Sequence, residues 1–403
     1  MVCQICKSED LAKVLDLGLH PPPLKFLDTI ADFEREELFP LKLIFCNSCK
    51  LLQLEKVIDP NIMFKNYLYT SAISTSFRNH LYNFADLLLK KFNLNSQDLI
   101  IDIGSNDGTL LEKFLKKGVK VLGVEPSNTA KIAINKGIET INNFFSEETA
   151  IKIRSDYGKA KVVTATNVFA HVDKLEFFIK GMKMILAENG VFVSESQYLM
   201  DIFDKQEYDT IYHEHLRYYS LEQLIKLFRL HDMEVFFAER ILAQGGSIRA
   251  YASFKNQFPI DKSVNELLRK EKEAKLSYLQ TAKNFASRIK QNKLDLCNLL
   301  SKLKSQGKKI VGISAPARSS TILNYCKIDS KMLDYITEKS ELKKGKFTPG
   351  THIKVVDDEM LKTDQPDYAL LLSWHLEDNI IQKIKNKGFK GKFIIPLPIV
   401  KVI

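Results

Sequence analysis

Short runs of aliphatic residues alternate with segments of helical period through the middle of the chain. The runs are LIIDIG from residue 99, VKVLGVEP from 119, VVTATNVF from 162 and GVFVSES from 190. This alternation predicts a parallel sheet with crossover helices. An amphipathic stretch from Thr75 to Phe92 precedes the first run, and we expect it to form a helix that packs across the sheet.

A second alternating set follows a charged region that runs from Asp261 to Gln306 and is poor in Gly and Pro. The charged region has helical period and predicts one or two connecting helices. Beyond it, the runs KKIVGIS, LDYIT, HIKVV, DYALLLSW and GKFIIP predict a second, smaller α/β domain. The expected fold class is therefore α/β.

Composition agrees with a globular protein of several domains. The 403 residues are 45% hydrophobic, and no apolar run approaches the length that spans a bilayer. We therefore expect a soluble, cytoplasmic protein that does not bind membranes. The formal net charge is +10, but the lysines are interleaved with acids except from Lys339 to Lys346. This spread disfavours nucleic acid as a partner, whereas a modest positive field would attract a small phosphorylated substrate.

Two CxxC pairs near the N-terminus are the most specific short-range signal. Thiolates two residues apart can turn toward one centre, and two such pairs supply the four soft ligands of a tetrahedral Zn²⁺ site. The expected ligands are Cys3, Cys6, Cys46 and Cys49. We expect no secretory leader before them, and therefore no disulfide framework.

The turn in IDIGSNDGTLL, after the first central strand, has the residues of a nucleoside site. Its glycines let the backbone bend beside a ligand, and the next strand ends in an acid that can accept ribose hydroxyls. The GxGxxG fingerprint is absent, and Asp107 would repel a pyrophosphate but not a cationic sulfonium. We therefore expect S-adenosylmethionine rather than NAD, with a merely structural glycine turn as the alternative. The candidate cofactor-binding residues here are Asp102, Gly104, Ser105, Asn106, Asp107, Glu125 and Pro126.

A crowded polar segment, YDTIYHEHLRYYS, predicts the chemical site. No packing rule requires so many titratable and phenolic groups together, and its histidines lack the spacing of an HExxH metal site. A histidine can accept a proton from a carbon next to a carbonyl, and neighbouring Tyr and Glu side chains can orient it. A polar surface loop with a hydrogen-bonded histidine is the alternative. Nearby, NVFAHV ends a further strand and adds Asn167 and His171, of which His171 fits packing and cofactor contact equally well.

Three further motifs indicate where a second ligand binds. GGSIRAY contains an arginine that can clamp an anionic or hydroxylated substrate, although an outward-facing arginine on a strand is equally ordinary. VGISAPARSSTILNYC joins a strand to a helix through a turn that predicts a phosphate cradle, and KFTPGTHIKV adds another turn. We expect two ligands, one at each sheet, that meet between the sheets. The candidate substrate-binding residues in these motifs are Arg249, Arg318, Ser319, Ser320, Lys346 and His352.

These motifs together resemble the S-adenosylmethionine-dependent sugar C-methyltransferases, which methylate a nucleotide-linked 4-keto-deoxysugar at C3. The likeness covers nearly the whole chain and includes the CxxC pairs, VLDLGLHP, CKLLQL, YLYTSAIS, IDIGSNDG, NVFAHV, YHEHLRYYS, GGSIRAY, APARSSTILNYC and TPGTHIKV. The resemblance implies three parts. They are a zinc-binding module and linker over residues 1–74, a class I methyltransferase Rossmann-like core over 75–260, and connecting helices with a nucleotide-sugar-binding α/β domain over 261–403.

The resemblance also implies roles for particular residues. The catalytic motif holds Tyr212, Glu214 and His215, with His215 as the base that removes the proton next to the ketone. The positions expected near the substrate and the methyl donor are Tyr67, Tyr69 and Ser71, and the zinc ion is expected to be structural. The chain has APARSST where the family has APAKGNT, and LSWH where LAWN is usual. These departures leave the sugar and the nucleotide open.

Two other functions remain open from the sequence. O- or N-methylation of a sugar or another small molecule would use the same scaffold and would need less of a base. A zinc-containing binding protein with a relic methyltransferase core would need no base at all. The intact acid after the second strand and the crowded YHEH segment argue against that second alternative. We expect a monomer or a small homo-oligomer.

Overall fold

The computed structural model describes residues 1–64 and 67–403. The strands are β1 (Leu11–His20), β2 (Phe39–Cys46), β3 (Leu52–Leu54), β4 (Leu99–Ile103), β5 (Lys120–Val124), β6 (Thr140–Ile141), β7 (Ala160–Thr166), β8 (Leu186–Gln197), β9 (Arg217–Tyr218), β10 (Met233–Ile241), β11 (Ser247–Phe254), β12 (Ile310–Ile313), β13 (Ile336–Glu338), β14 (Val355–Asp357), β15 (Tyr368–Leu371), β16 (Lys392–Ile395) and β17 (Lys401–Val402). The α-helices are α1 (Pro60–Phe64), α2 (Thr75–Lys91), α3 (Thr109–Leu115), α4 (Ala130–Asn135), α5 (Glu147–Asp156), α6 (Leu175–Ile185), α7 (Leu199–Asp204), α8 (Leu221–Arg229), α9 (Lys262–Glu273), α10 (Leu279–Ser305), α11 (Ser319–Cys326), α12 (Met360–Asp364) and α13 (Glu377–Asn386). Short 3₁₀ turns lie at Ile30–Arg35, Ser71–Ile73, Tyr208–Thr210, Ala243–Gly245 and Trp374–Leu376.

The largest sheet has seven strands in the order β10-β11-β8-β7-β4-β5-β6. Strands β4 to β8 are parallel, and the predicted parallel sheet with crossover helices is confirmed. All five residues of β4 are buried, because helices cover both faces of such a sheet. The antiparallel strands β10 and β11 extend the sheet beside β8, which the apolar runs did not predict.

Helix α2 covers one face of this sheet, as its amphipathic pattern predicted. The Ser74 hydroxyl accepts a hydrogen bond from the Phe77 backbone N–H and caps the first turn. Leu81, Phe84 and Leu88 recur at helical spacing and are buried in one cluster with β4 and α3. The helix ends at Lys91, one residue before the predicted end.

The N-terminal sheet is antiparallel and has the order β1-β2-β3-β9. Its last strand comes from far along the chain, since Leu52 of β3 pairs with Tyr218 of β9. The Leu54 backbone N–H also donates to the Leu216 carbonyl at 2.9 Å. The cysteine-bearing module is therefore joined by backbone hydrogen bonds to the segment that follows YHEH.

The C-terminal sheet has the order β14-β13-β12-β15-β16-β17. Strand β12 pairs in parallel with β13 on one side and with β15 on the other, so the strand order reverses there. This sheet confirms the predicted second α/β unit. The charged region before it forms α9 and α10, and α10 buries a stripe that includes Phe285, Ile289, Leu296 and Leu300. Across the part of the chain that the structure describes, no helix combines the length and the apolar character needed to cross a membrane.

Candidate active site

The four cysteines of the two CxxC pairs meet at one point in the N-terminal module. Their Sγ atoms all lie within 4.8 Å of one another. The Cys3 and Cys49 sulfurs are 3.4 Å apart, and those of Cys6 and Cys46 are 3.6 Å apart. Tetrahedral Zn²⁺ with bonds of about 2.3 Å to sulfur requires separations of about 3.8 Å, so the donor set fits the ion. Four thiolates fill its coordination, and zinc here would crosslink the module rather than bind a substrate.

One large cavity, of about 1210 Å³, lies between the parallel sheet and the C-terminal sheet. Its walls include Gly104 and Glu125 from the first sheet, His215 from the YHEH segment, and Arg318 and Glu338 from the second sheet. The expectation that two ligands meet between the two sheets therefore has a matching space.

The glycine turn after β4 forms the floor of the cavity. Gly104 has φ of +74°, and a Cβ there would lie 2.3 Å from the Val168 side chain, so only glycine fits. Asn106 lines the cavity, but its side chain accepts from the Ser71 backbone N–H at 2.9 Å and donates to the Tyr69 carbonyl at 3.2 Å. Asn106 thus holds the 69–71 loop over the turn.

Glu125 and Pro126, after β5, also line the cavity. The Glu125 carboxylate accepts from the backbone N–H groups of Asn106 at 2.8 Å and Ser127 at 2.9 Å. These two bonds fix the carboxylate at the end of the strand. Each oxygen retains acceptor capacity for a ribose hydroxyl, because an ionised carboxylate has about four lone-pair sites.

Asn167 and His171 follow β7 and line the same cavity. Asn167 has φ of +55°, and both polar atoms of its side-chain amide are buried without a hydrogen-bond partner among residues 1–64 and 67–403. A buried amide in this state can hydrogen-bond a polar group of a ligand in the cavity. Burial lowers the pKa of His171 to about 4, and its ring stacks on Phe64 with centroids 5.9 Å apart. Together with Gly104 and Glu125, these groups fit S-adenosylmethionine.

The YHEH segment brings Tyr212, Glu214 and His215 into the cavity wall. The His215 Nδ1–H donates to the Thr210 carbonyl at 2.6 Å, which leaves Nε2 with its lone pair. Burial, reinforced by nearby His171 and then Arg318, lowers the pKa of His215 well below its ordinary value. The ring is therefore neutral and able to accept a proton.

Around His215, aromatic and carboxyl groups close the site. The Tyr212 ring lies 4.0 Å from the His215 ring, centroid to centroid, and His171 lies 5.0 Å away on the same measure. Burial raises the pKa of Glu214 to about 7. The Tyr67 hydroxyl donates to Glu214 Oε2 at 3.0 Å, so the loop before α2 completes this polar group. The remaining residues that this loop was predicted to supply, Tyr69 and Ser71, also line the cavity.

The C-terminal sheet contributes a wall at the point where its strand order reverses. Loops after β12 and β15 flank this point, and such crevices are where open α/β sheets bind ligands. Ser314 and His375 line the cavity from these two loops, and Glu338 and Lys343 line it from the end of β13 and the turn beyond. His375 Nδ1 is buried and has no hydrogen-bond partner within the described part of the chain.

Sequence reasoning did not place Glu338 or Lys343 in the site. Glu338 ends the second strand of its sheet, as Glu125 does, and its carboxylate accepts from the backbone N–H groups of Ala315 at 2.9 Å and Ser340 at 3.2 Å. The acid-after-strand signal that identified Glu125 could have identified Glu338. Nothing in the local pattern distinguishes Lys343 from its neighbouring lysines.

Three residues of the glycine turn lie beneath the cavity instead of on its wall. The Asp102 carboxylate accepts from the Thr164 hydroxyl at 2.6 Å, and Ser105 is buried against Gly123. Asp107 accepts from the Thr109 hydroxyl at 2.6 Å and from the Ala72 backbone N–H at 2.9 Å. These contacts shape the turn, and the predicted cofactor contacts of Asp102, Ser105 and Asp107 stay a prediction.

Arg249, which the sequence predicted as a substrate clamp, does not line the cavity. Its guanidinium donates to Glu195 Oε2 at 2.9 Å and to Glu239 Oε1 at 2.9 Å, and it lies 4.0 Å above the Phe84 ring centroid. His80 completes this network through a 2.7 Å contact with Glu195. The sequence showed only that this arginine lies on a strand. In the structure its side chain is buried among two carboxylates and an aromatic ring.

The predicted phosphate cradle is also different in the structure. Arg318 lines the cavity, but its guanidinium donates to Asp209 at 2.7 and 2.8 Å and to Glu207 at 3.2 Å. The other two cradle candidates point elsewhere: the Ser319 hydroxyl donates to the Pro316 carbonyl, and Ser320 contacts Asn324. Arg318 is already neutralised, so this turn is not a free anion site.

Lys346 and His352 contact the N-terminal module rather than the cavity. Lys346 forms an ion pair with Asp28. The His352 ring stacks on Phe33 with centroids 3.8 Å apart, and its Nε2 lies 3.0 Å from the Glu36 carboxylate. The turn that carries these residues therefore joins two parts of the chain, a contact that no local sequence pattern indicates.

Comparison with known proteins covers the whole chain. Residues 3–64 match the model of a zinc-binding domain, residues 77–236 that of a methyltransferase domain, and residues 242–398 that of a C-methyltransferase C-terminal domain. The C-methyltransferase NovU of Streptomyces niveus is 32% identical over 406 aligned positions, which span 100% of this chain and 96% of NovU.

Shorter likenesses concern the central region. Ubiquinone biosynthesis O-methyltransferase of Pelagibacter ubique is 27% identical over 119 residues, which cover 26% of this chain and 46% of that protein. The structure of magnesium protoporphyrin IX methyltransferase from Synechocystis with bound SAM has a TM-score of 0.34 and 12% identity, and covers 44% of this chain and 79% of that one. The family assignment follows from the full-length relative and the three domain models. This chain belongs to the S-adenosylmethionine-dependent C-methyltransferases that combine a zinc-binding domain, a methyltransferase domain and a C-methyltransferase C-terminal domain.

Proposed function

We propose that the enzyme methylates a nucleotide-linked deoxysugar at the carbon next to its ketone, with C3 of a 4-keto sugar as the reacting position. One observation carries the proposal. The neutral His215 ring, with its Nε2 lone pair available, lies in a single cavity with the cofactor turn and the C-terminal sheet. Carbon methylation needs a base, because the proton on carbon must leave before or as the new bond forms.

His215 acts as the base in this proposal. The ketone acidifies the adjacent C–H, His215 Nε2 takes the proton, and the electron pair moves into the enolate. The hydrogen bond from Nδ1 to the Thr210 carbonyl holds the ring in the required tautomer and stabilises the imidazolium that forms. When bound, S-adenosylmethionine supplies a methyl group already activated by its sulfonium, and the enolate carbon is the acceptor.

Tyr67, Tyr212 and Glu214 are assigned to the stabilisation of the negative charge that develops on the enolate oxygen. The Tyr67 hydroxyl donates to Glu214, and the Tyr212 ring lies against His215, so these groups fix the base and line the space around it. A phenol or a protonated carboxyl can donate to the enolate oxygen. Tyr69 and Ser71 close the loop above the cofactor turn, and we assign them to the exclusion of water.

The cofactor would be held by groups on the parallel sheet. Gly104 allows close backbone approach, Glu125 and Pro126 receive the ribose, and the unpartnered Asn167 amide contacts a polar part of the molecule. We assign His171 to the boundary between cofactor and acceptor, since its ring stacks on Phe64 and faces His215.

The C-terminal sheet supports a nucleotide as part of the acceptor. Glu338 repeats the arrangement of Glu125: both end a strand that neighbours the first strand of their sheet, and both accept backbone N–H groups from the turn after that first strand. An acid in this position accepts ribose hydroxyls in nucleoside-binding folds. We therefore propose residues 1–74, 75–260 and 261–403 as the zinc module, the cofactor domain and the acceptor domain.

Mass spectrometry of products tests this function. The enzyme is incubated with S-adenosylmethionine and a panel of nucleotide-linked 4-keto-deoxysugars, and the expected product is heavier by one methyl group bonded to carbon. Without the cofactor, the same substrates in deuterated water should exchange the proton next to the ketone. Methylation without any such exchange, or methylation on oxygen or nitrogen, would contradict the proposal.

A further inference from the structure

Lys343 is a buried lysine in the acceptor side of the cavity. Only 7% of its side chain is exposed, and its Nζ donates to the Ala315 carbonyl at 2.8 Å. An ammonium has three protons, so this single hydrogen bond leaves donors available. Burial lowers the pKa of Lys343, which shows that the surroundings solvate its charge poorly.

The nearest acid to Lys343 is already occupied. The Glu338 carboxylate lies 3.9 Å from Lys343 Nζ, beyond hydrogen-bond distance. Its oxygens accept backbone N–H groups from Ala315, Lys339 and Ser340. Glu338 therefore balances the lysine charge only in part, and the ammonium keeps its capacity to bind an anion.

The other cationic side chains on the wall that the C-terminal sheet contributes are paired with acids or exposed to solvent. Arg318 is paired with two carboxylates whose side chains have no exposed surface, those of Asp209 and Glu207. Lys339 has a half-exposed side chain and lies 3.8 Å from Asp358. Among the described residues that line the cavity from the C-terminal sheet, Lys343 is thus the cation best placed to bind an anionic group of the acceptor.

We propose that Lys343 binds a phosphate of the acceptor's nucleoside diphosphate, the role that the sequence motifs had suggested for Arg318. This inference rests on the proposed function, since it requires an acceptor with phosphate groups. Lys343 lines the same cavity as Glu214 and His215. A phosphate held by Lys343 would therefore place the attached sugar in the part of the cavity that contains Glu214 and His215.

Calorimetry with nucleoside diphosphates tests the inference without turnover. Uridine, thymidine and guanosine diphosphates are titrated into the wild type, Lys343→Met and Lys344→Met. Lys344 has the same charge and is adjacent in sequence, but it is paired with Glu341 and Asp357 and does not line the cavity. Loss of a charge-assisted hydrogen bond should weaken binding about 10- to 100-fold in Lys343→Met. Lys344→Met should stay within about twofold of the wild type.

A labelling experiment on the wild type avoids reliance on a folded variant. Acetic anhydride is applied with and without the diphosphate that binds, and acetylation at each lysine is read by peptide mass spectrometry. Lys343 should be protected by the diphosphate and Lys344 should not. Equal affinity in Lys343→Met and the wild type, or labelling of Lys343 that the diphosphate leaves unchanged, would overturn the inference. If the wild type binds none of the diphosphates, the nucleotide-linked acceptor itself is wrong.

Discussion

At the scale of single residues, burial decides the protonation state of the catalytic candidates. His215 is 3% exposed, and its pKa is lowered far enough for the ring to stay neutral across the physiological range. Glu214 is 2% exposed, and burial raises its pKa to about 7. One neutral imidazole and one carboxyl that is partly protonated near neutrality therefore share the cavity wall, which suits proton transfer at carbon.

Replacing His215 with Asn should remove the base and keep the fold. Turnover is expected to fall by about 10²- to 10⁴-fold, because general base catalysis typically contributes that much. Affinity for S-adenosylmethionine, measured by calorimetry, should stay nearly unchanged. His213→Asn is the matched control, since His213 is equally buried but contacts the Pro40 carbonyl outside the cavity. If His215→Asn turns over at the wild-type rate, the assignment of the base fails.

Protonation of Glu214 should make the free energy of unfolding depend on pH. Its pKa is about 7 in the folded enzyme and 4.5 without burial, so the native state binds a proton that the unfolded chain releases between these values. The free energy of unfolding therefore decreases as pH rises through this window, by roughly 3 kcal/mol from this group. Glu214→Gln lacks the group and should gain stability relative to the wild type from about pH 5 to about pH 8.

Urea denaturation of both ligand-free enzymes at several pH values measures this difference. Other buried acids, such as Asp102, titrate in both proteins and cancel. A difference in unfolding free energy that is constant with pH would contradict the prediction. It would show that the pKa of Glu214 is not raised in the folded enzyme, and that the Tyr67 hydrogen bond, which favours the ionised form, offsets the effect of burial.

At the scale of elements, the predictable parts are those with a strong local pattern. Strands β4, β5, β7 and β8 each contain a short apolar run, and these runs alternate with helical segments, as expected for strands that are buried on both faces. The acid that ends β5 was found by the same logic. Strand β9 joins the N-terminal sheet by pairing with β3, which lies more than a hundred residues earlier in the chain, so no local pattern predicts this pairing.

The candidate site likewise contains residues that local sequence patterns identify and residues whose surroundings such patterns do not show. Residues at strand ends, such as Gly104, Glu125 and Asn167, lie together in the cavity wall because parallel strands share one carboxyl edge. The sequence did not show that Arg249 and Arg318 are neutralised by ion pairs, because their carboxylate partners come from other elements. Sequence gives the charge of a side chain, whereas its neutralisation depends on the tertiary contacts.

Arg249→Met should behave as a loss of stability rather than a loss of acceptor binding. Arg249 and Glu195 have side chains 5% and 0% exposed, and removing one partner of a buried pair costs about 3 to 5 kcal/mol. Chemical denaturation measures this cost, and the acceptor KM of the folded fraction should stay within about twofold of the wild type. Arg249→Lys keeps the charge and should lose less. A large rise in the acceptor KM without a loss of stability would instead support the predicted role of Arg249 as a substrate clamp.

At the scale of the whole molecule, the N-terminal module touches both other parts. Glu36 accepts from the Gly350 backbone N–H at 2.8 Å and contacts His352 on the C-terminal turn. On the other side, β3 pairs with β9, which begins two residues after His215. Cys46 ends β2 and Cys49 lies between β2 and β3, so the cysteine cluster is connected through one short strand to the segment that carries His215.

Zinc removal should therefore impair catalysis although the ion is not at the reaction centre. Depletion with a strong chelator is expected to lower methylation by at least about tenfold and to lower the melting temperature, because a structural zinc site contributes folding free energy. Stoichiometric Zn²⁺ should restore both. Affinity for S-adenosylmethionine should change far less, since Gly104 and Glu125 lie on the parallel sheet, which shares no strand with the N-terminal sheet.

Cysteine variants separate the ion from nonspecific effects of the chelator. Cys46→Ser removes one ligand of the cluster and should reproduce the zinc-depleted state, with less than one zinc per chain by elemental analysis. Cys297→Ser changes a thiol outside the cluster, which donates to the Cys326 carbonyl, and it should keep both zinc and activity. Full activity in zinc-free enzyme would mean that the pairing of β3 with β9 survives without the metal. In that case the backbone pairing of β3 with β9, together with the contact between Leu54 and Leu216, would suffice to hold the segment that carries His215.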